Sequence, residues 1–534
     1  MNKRFLSYIK NLLLPTLILG GVTGTITGLF IVLYRVAASK VIGVSESAYA
    51  AMREDLRLVP VGLLVILAIA WVTSLIYKKV PEIQGGGIPT SIAILRGLMR
   101  FDWLKNLIGV TAVSLSTFFV GIPLGNEGPS VQIGTAVGRG TVRIFAKKSP
   151  AWDRYVMTGG SCAGFTGATN APISGIMFAI EEAHGRISPM IIMVVFTAVM
   201  FTQIAMKLFA PLVGLNPDLF TGLAGNVRAL VSAEMWIPLL MGGVIGLFSV
   251  VFLKYYKLIT GVFKKKLANI SMFVKVLVIS VLTLIFGLIS YDFVSTGHSI
   301  VEKLIEGHVA WYILLAILVF RMTVTLGANT TGITGGMFLP IIALSALMTG
   351  ITGQFMVFAG ILDETYRGVI IALGIASCIS GMMKCPLTAV VFGVEALGCA
   401  QNILPVIIAS AIAYTLTEIF GVKSINESVI KNKTDALSKG RIRVVKEALV
   451  TVCGDSFAIG KQLRDIFWPS GMFIVSIKRK KASDAVIDEY GEKTIREGDV
   501  LHLRYSTIDE ESTKQELLAI VGEQELVTSD VSQA

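Results

Sequence analysis

Gly125-Asn126-Glu127-Gly128-Pro129-Ser130 sets one acid among glycines, between long apolar segments. A carboxylate at membrane depth is costly, and where one occurs it is functional as a rule. The flanking glycines remove neighbouring side chains and leave backbone N–H groups bare toward a ligand. Pro129 stands where a helix can begin, because a first-turn proline gives up only an N–H that has no helical partner. Loop plus helix N-terminus predicts an anion site, built from oriented N–H donors and the positive end of the helix dipole. A glutamate inside such a site competes with the anion when charged and releases it when protonated. The stretch therefore reads as a proton-sensitive anion gate, with Glu127 as the gating group.

The surrounding chain is apolar enough to hold that acid in a bilayer. Its 534 residues are 54% hydrophobic and 16% charged, the balance of a polytopic membrane protein. Long apolar stretches cover 12–34, 61–77, 237–252, 274–289, 310–320 and 403–419. Others, at 156–167 and 172–180, are short or cut by Gly and Pro. Short, broken hydrophobic segments predict a transporter whose irregular backbone lines a buried site. Lys3, Arg4 and Lys10 ahead of the first apolar run resemble a signal peptide. That run is long enough to span, however, and no small-residue cleavage site follows, so a first membrane helix is expected.

The net charge of +11 fits the positive-inside rule rather than nucleic-acid binding. Lys147 with Lys148, Lys264 to Lys266, and Arg96 with Arg100 mark cytoplasmic loops, and both termini are expected on that side. The acidic segment 292–306 reads as external. Of the 5 cysteines, Cys162, Cys378, Cys385 and Cys399 lie in apolar segments and read as small packing residues. The 4 histidines are scattered without metal-ligand spacing, so neither metal nor cofactor is expected.

Two stretches align without gaps. Residues 157–182 read MTGGSCAGFTGATNAPISGIMFAIEE, and 371–396 read IALGIASCISGMMKCPLTAVVFGVEA. Gly160, Gly167, Pro172, Phe178 and Glu181 match Gly374, Gly381, Pro386, Phe392 and Glu395. Each copy follows a glycine-rich break, as expected of a repeat-built transporter with a midplane site. Glu181 recurs as Glu395 and so reads as an acid that caps or pairs at the same place in both halves. Glu182 faces Ala396 in the alignment, and that asymmetry favours a second proton site, with a helix-end ion pair as the alternative.

Three glycine breaks now stand together: Gly85-Gly86-Gly87-Ile88-Pro89, the run around Glu127, and Gly335-Gly336-Met337-Phe338-Leu339-Pro340. The set resembles the CLC family of chloride channels and chloride/proton exchangers, whose motifs read approximately GSGIP, GREGP and GGIFAP in this order. The resemblance covers roughly residues 10–430. It implies an all-α membrane fold of two inverted halves of tilted, broken helices, in a homodimer with one anion pathway per subunit. It implies an anion site formed by Gly85, Gly86, Gly87, Ile88, Gly125, Asn126, Gly128, Gly336, Met337 and Phe338. Glu127 falls on the family's gating glutamate and Glu182 on its internal proton-relay glutamate, with Phe178 in the apolar gap between them. Three departures stand out: Gly86 supplies no hydroxyl, Asn126 replaces an arginine, and Asn426 occupies the position of an anion-touching tyrosine. The glycines of the first motif also suit close helix packing, and Asn426 also suits a cap.

After about residue 430 the character changes. Residues 431–443 read as a polar linker and 444–524 as a small α/β soluble domain, with 525–534 a disordered tail. Residues 448–453, 472–478 and 501–505 read as strands, 459–467 and 511–521 as helices, and Trp468-Pro469-Ser470-Gly471 as a turn. This order resembles the TrkA-C domain, also called RCK-C. That resemblance implies a cytosolic dimer, whose relatives in several cases bind cyclic di-AMP (c-di-AMP). The basic run from Lys478 to Lys481 suits either a phosphate or a solvated strand end.

Taken together, the residues predict a bacterial inner- or plasma-membrane protein that moves chloride or another small anion, coupled to protons, with a cytosolic regulatory domain. The activity expected is transport, not bond-making catalysis. A passive chloride channel, a fluoride/proton antiporter and a membrane-anchored sensor remain as alternatives at this stage.

Overall fold

The computed structural model describes residues 12–147, 150–307, 309–438, 444–479, 493–522 and 527–530. Lys3, Arg4, Lys10, Lys148, Lys480, Lys481 and residues 531–534, all invoked above, lie outside them. Among the described residues, 10 helices are long and apolar enough to cross a membrane. The first apolar run is part of one 41-residue helix, Leu14–Glu54, which packs closely on Pro189–Phe209. A Cβ on Gly24 would lie 2.1 Å from the Ala198 carbonyl oxygen, so the backbones touch where only glycine fits.

The broken segments are the informative ones. Asp153–Thr169 ends at Asn170, which takes a left-handed conformation with φ 54°. The chain then restarts at Pro172–Phe178 and finishes in a π-turn, Ala179–His184. The second copy repeats this outline. Arg367–Cys378 passes into a π-turn, Ile379–Met383, then Lys384 at φ 62°, then Pro386–Ala396. Asn170 and Lys384 are equivalent in the alignment, so the break is a property of the repeat. Asparagine tolerates this conformation and lysine does so at some cost. Both bends precede a proline that opens the next helix.

Each half completes the other. The Glu181 carboxylate accepts from the Leu387 and Thr388 amides at 3.0 and 2.8 Å and from the Thr388 hydroxyl at 2.7 Å. The Glu395 carboxylate accepts from the Ile173 and Ser174 amides at 2.8 Å each and from the Ser174 hydroxyl at 2.7 Å. Each acid satisfies the orphan N–H groups at the start of the opposite half's helix, in the manner of an N-cap supplied from a distance. Such reciprocal exchange is what a two-fold relation between the halves produces.

The final membrane helix, Ile403–Ile419, is followed by Ile425–Ser438. Residues 431–438, expected as linker, are therefore helical. Buried Ile425, Asn426, Val429 and Ile430 anchor one face of this helix to the membrane region, and the polar residues simply continue it. Beyond it, four antiparallel strands lie in the order β2-β3-β1-β4. They are β1 Val444–Thr451, β2 Met472–Lys478, β3 Val500–Thr507 and β4 Val527–Asp530. The helix Glu510–Val521 packs on them through Leu517, Ile520 and Val521, against Leu501, Leu503 and Tyr505.

Two expectations for this domain are corrected. Residues 459–467 do not form a helix. They make turns and a short 3-10 segment, Leu463–Asp465, because Gly460, Lys461 and Leu463 spend their backbone groups on hydrogen bonds with the 493–495 stretch. Residues 527–530, assigned to a disordered tail, pair with β1 as its outer neighbour, where they satisfy an otherwise open strand edge.

The reciprocal caps yield a direct expectation. Glu181→Gln and Glu395→Gln should each lower stability by about 1–2 kcal/mol, the scale of a lost charged cap. Thermal unfolding of the purified protein in detergent checks this, and unchanged transitions in both variants would deny the caps their role.

Candidate functional site

The three glycine breaks meet. Gly125 and Gly336 exchange both backbone hydrogen bonds, each at 2.8 Å, as an isolated antiparallel bridge. The Gly85 amide donates to the Gly332 carbonyl at 2.8 Å, tying the first break to the third. A Cβ on Gly87 would fall 1.9 Å from the Gly128 oxygen, and one on Gly128 would fall 2.6 Å from the Gly336 Cα. No side chain of any kind fits between these backbones. Glycine is required here for approach.

From this junction, helices start with their N-termini together: Gly87–Leu95, Glu127–Phe145 and Phe338–Phe358. Ile88 is buried in the first turn of the first. Asn126, Gly86 and Met337 hold the N-cap positions, and none of them caps with its side chain. The first-turn N–H groups thus receive no side-chain cap, and the positive ends of the helix dipoles lie at the junction, as an anion site requires. Met337 and Phe338 are buried at the head of the third helix.

Glu127 lies wholly inside the protein, and neither of its carboxylate oxygens has a hydrogen-bond partner. Leaving a buried carboxylate unpaired is among the costlier arrangements available to a chain. The groups that act on it are its own backbone N–H and that of Leu339, which face it without closing a full hydrogen bond, and the field of the Arg35 guanidinium. Arg35, on Leu14–Glu54, donates to the carbonyls of Gly167 at 3.2 Å, Pro217 at 2.9 Å and Asn216 at 3.2 Å. It thus holds a cation whose field reaches Glu127, on a different element from Asn126.

An aromatic chain leads away from this junction. Phe338 packs edge-on to Phe165 at 5.2 Å, and Phe165 stacks on Phe178 at 5.6 Å. Phe392, the repeat partner of Phe178, meets Phe338 from the other half at 5.3 Å. Phe178 ends its helix, and the following π-turn carries Glu182, only 8% exposed. Asn426 donates its amide to the Glu182 carboxylate. Arg96 donates to the Glu182 and Ala183 carbonyls at 2.8 and 2.9 Å and pairs with Glu427 at 2.5 Å. Asn426 is therefore placed beside Glu182, while the glycine-motif residues come together.

Three polar residues at or near this site were not foreseen: Arg35, Asn329 and Lys433. Arg35 is a charge inside an apolar run, which is the only signal it offered; Asn329 is one polar residue near the end of an apolar helix, and Lys433 is one of several polar residues on its own helix. Asn329, on Trp311–Thr331, is 5% exposed with both amide atoms unpartnered. Lys433 reaches back from Ile425–Ser438 to the Thr90 hydroxyl.

The C-terminal domain sits against the Glu182 end. Tyr155 donates to the Asp465 carbonyl at 2.5 Å and accepts from the Phe467 amide at 3.1 Å. Ser188 donates to the Asp465 carboxylate at 3.0 Å, and the Phe467 ring lies 4.6 Å from that of His184. Arg154 pairs with Glu516 at 3.1 Å and donates to the Trp468 carbonyl at 2.8 Å.

Comparison with known proteins follows the same outline. A family described as voltage gated chloride channel matches residues 61–418. The H(+)/Cl(−) exchange transporter ClcA of Salmonella arizonae is 29% identical over 426 residues, covering 78% of this chain and 88% of that protein. The ClcA of Klebsiella pneumoniae is 27% identical, over 78% of this chain and 89% of its own. Among solved structures, a slow cyanobacterial Cl−/H+ antiporter superposes with a TM-score of 0.71 at 19% identity, covering 79% of this chain and 99% of that one. A CLC-type fluoride/proton antiporter gives 0.59 at 18% identity, over 76% and 96%. At such identities the structural likenesses speak to the fold alone.

Gly87→Ala tests the junction. A methyl group there must displace the Gly128 carbonyl, so the variant should lose about 1–3 kcal/mol of stability and its anion flux together. Wild-type flux and melting would show that the breaks are not held in contact.

Proposed function

Because this chain belongs to the voltage gated chloride channel family, we propose that it exchanges chloride for protons across a bacterial membrane, with Glu127 as the gate. The observation that carries this reading is the unpaired Glu127 carboxylate buried where three glycine breaks and three helix N-termini converge. Charged, the carboxylate occupies the place of the anion among N–H donors. Protonated, it leaves that place and carries its proton with it. Glu182 receives or supplies the proton at the far end of the Phe178 and Phe165 contacts, held in position by Asn426. The relatives' printed name, H(+)/Cl(−) exchange transporter, supports proton coupling. No bond-making catalysis is part of this function.

Purified protein in liposomes with a chloride gradient tests the reading by recording chloride efflux and external pH together. Proton uptake that tracks chloride and runs against a pH gradient is expected. Glu127→Gln should abolish proton movement, and Glu182→Gln should end it while chloride still flows. Fast chloride efflux with no proton movement in the wild type would make the protein a channel. The missing hydroxyl at Gly86 is the observation that favours that second reading.

The regulatory role is likewise proposed. The contacts of Asp465, Phe467 and Trp468 with Tyr155, Arg154 and Ser188 support a route from the C-terminal domain to the Glu182 end. On this reading the subunits pair as a homodimer, both termini face the cytoplasm, and c-di-AMP binds where two C-terminal domains meet. Micromolar c-di-AMP should change the chloride flux of the full-length protein severalfold and leave a chain truncated after Ser438 unaffected. Equal flux with and without the nucleotide would remove it as the ligand.

A further inference from the structure

Gly86 is not a glycine for the sake of its backbone. Its φ is −67° with ψ 133°, a conformation open to any residue. What a side chain there would meet is more telling. Its Cβ would stand 3.4 Å from the Asn329 Nδ2, with Pro89 at 3.3 Å on the other side. The head of Asn329 thus borders the place a residue-86 side chain would occupy. One residue earlier, a Cβ on Gly85 would stand 3.4 Å from the Lys433 Cε and 3.8 Å from its Nζ. Lys433 in turn donates to Thr90, whose hydroxyl donates to the Gly86 carbonyl at 2.8 Å. An amide and an ammonium, from helices far apart in the chain, therefore flank two consecutive glycines.

Resting on the anion-transport reading above, we infer that Asn329 and Lys433 are anion ligands of the Gly85-Gly86-Gly87 break, replacing the hydroxyl that residue 86 does not supply. The ammonium carries three N–H donors and Thr90 takes one, so two remain. The Asn329 amide contributes two more, with no protein partner for either. The first-turn N–H groups of Gly87–Leu95 complete the set, since Gly86 leaves the helix uncapped. A buried amide left unsatisfied costs stability that a bound ligand restores. Donors of this kind beside two bare glycines suit a small monovalent anion such as a halide. Burial pulls the pKa of the Lys433 ammonium down to about 7 and the Glu82 carboxylate partly offsets this, so an anion bound beside it favours the charged form.

Chloride binding to the purified full chain by titration calorimetry tests this, together with chloride flux in liposomes as a function of chloride concentration. Asn329→Ala and Lys433→Met should each weaken the chloride Kd by about tenfold, the scale of one hydrogen bond to a charged group. Adding Gly86→Ser to Asn329→Ala should restore most of that loss, because the new hydroxyl enters the space the amide vacates. Wild-type Kd in both single variants would overturn the inference and leave Asn329 as the host of a water. Should Asn329→Ala fail to remain monodisperse, Lys433→Met, whose position is partly exposed, still decides: a tenfold loss supports the assignment and an unchanged Kd overturns it. A wild-type protein that neither binds nor moves chloride would instead overturn the broader transport reading.

Discussion

Everything in the membrane region depends on three stretches of bare backbone being allowed to touch. At Gly87, Gly128 and Gly336 the chain approaches itself more closely than any side chain permits. The Gly125 and Gly336 bridge locks that approach with two backbone hydrogen bonds. Helix starts are thereby brought to one point, and their unpaired N–H groups create a place for negative charge inside an apolar protein. Glu127 is buried there with neither carboxylate oxygen in a closed hydrogen bond, a costly placement for an acid. On the proposed function, anion and carboxylate compete for this one place.

The two-fold relation between the halves is what delivers the breaks to that point. Proline after a left-handed residue, at Asn170 and at Lys384, turns each half at the same place. The reciprocal caps by Glu181 and Glu395 then hold the turned helices against each other. Where the repeat is not obeyed, singular polar groups appear. Glu182 stands opposite Ala396 and alone takes the Asn426 amide, and Arg35 has its own set of carbonyls. Symmetry supplies the scaffold, and departures from it supply direction.

Much of this was legible in the residues. The breaks announce themselves through glycine and proline, and the capping role of Glu181 follows from its recurrence as Glu395. The β3 alternation of Leu501, Leu503 and Tyr505 reads directly as a buried face. What escaped is long-range or singular. Lys433 and Thr90 are 343 residues apart, and no local pattern links them. Asn329 is one amide in an apolar helix, indistinguishable in sequence from a tolerated polar residue. Residues 431–438 look like a linker because composition does not reveal that Val429 and Ile430 already hold the helix in place. The apolar residues of 459–467 suggest a helix, yet Phe467 is spent on packing against Tyr155 and His184. Strand β4 depends on an edge offered by β1 some eighty residues upstream, a pairing that only the folded sheet defines.

The reciprocal caps also bear on how the protein is made. Ser174 and the carboxylate that caps it are separated by 221 residues. At roughly 5–20 residues per second, a ribosome needs about 10–40 s to deliver Glu395 after Ser174 has emerged. For that interval the amides opening the Pro172 helix sit in the bilayer without their acid, and the first half waits as an incomplete insertion intermediate. Biogenesis of this chain is thus concerted across its length: the half born first acquires its final form only when the half born last arrives.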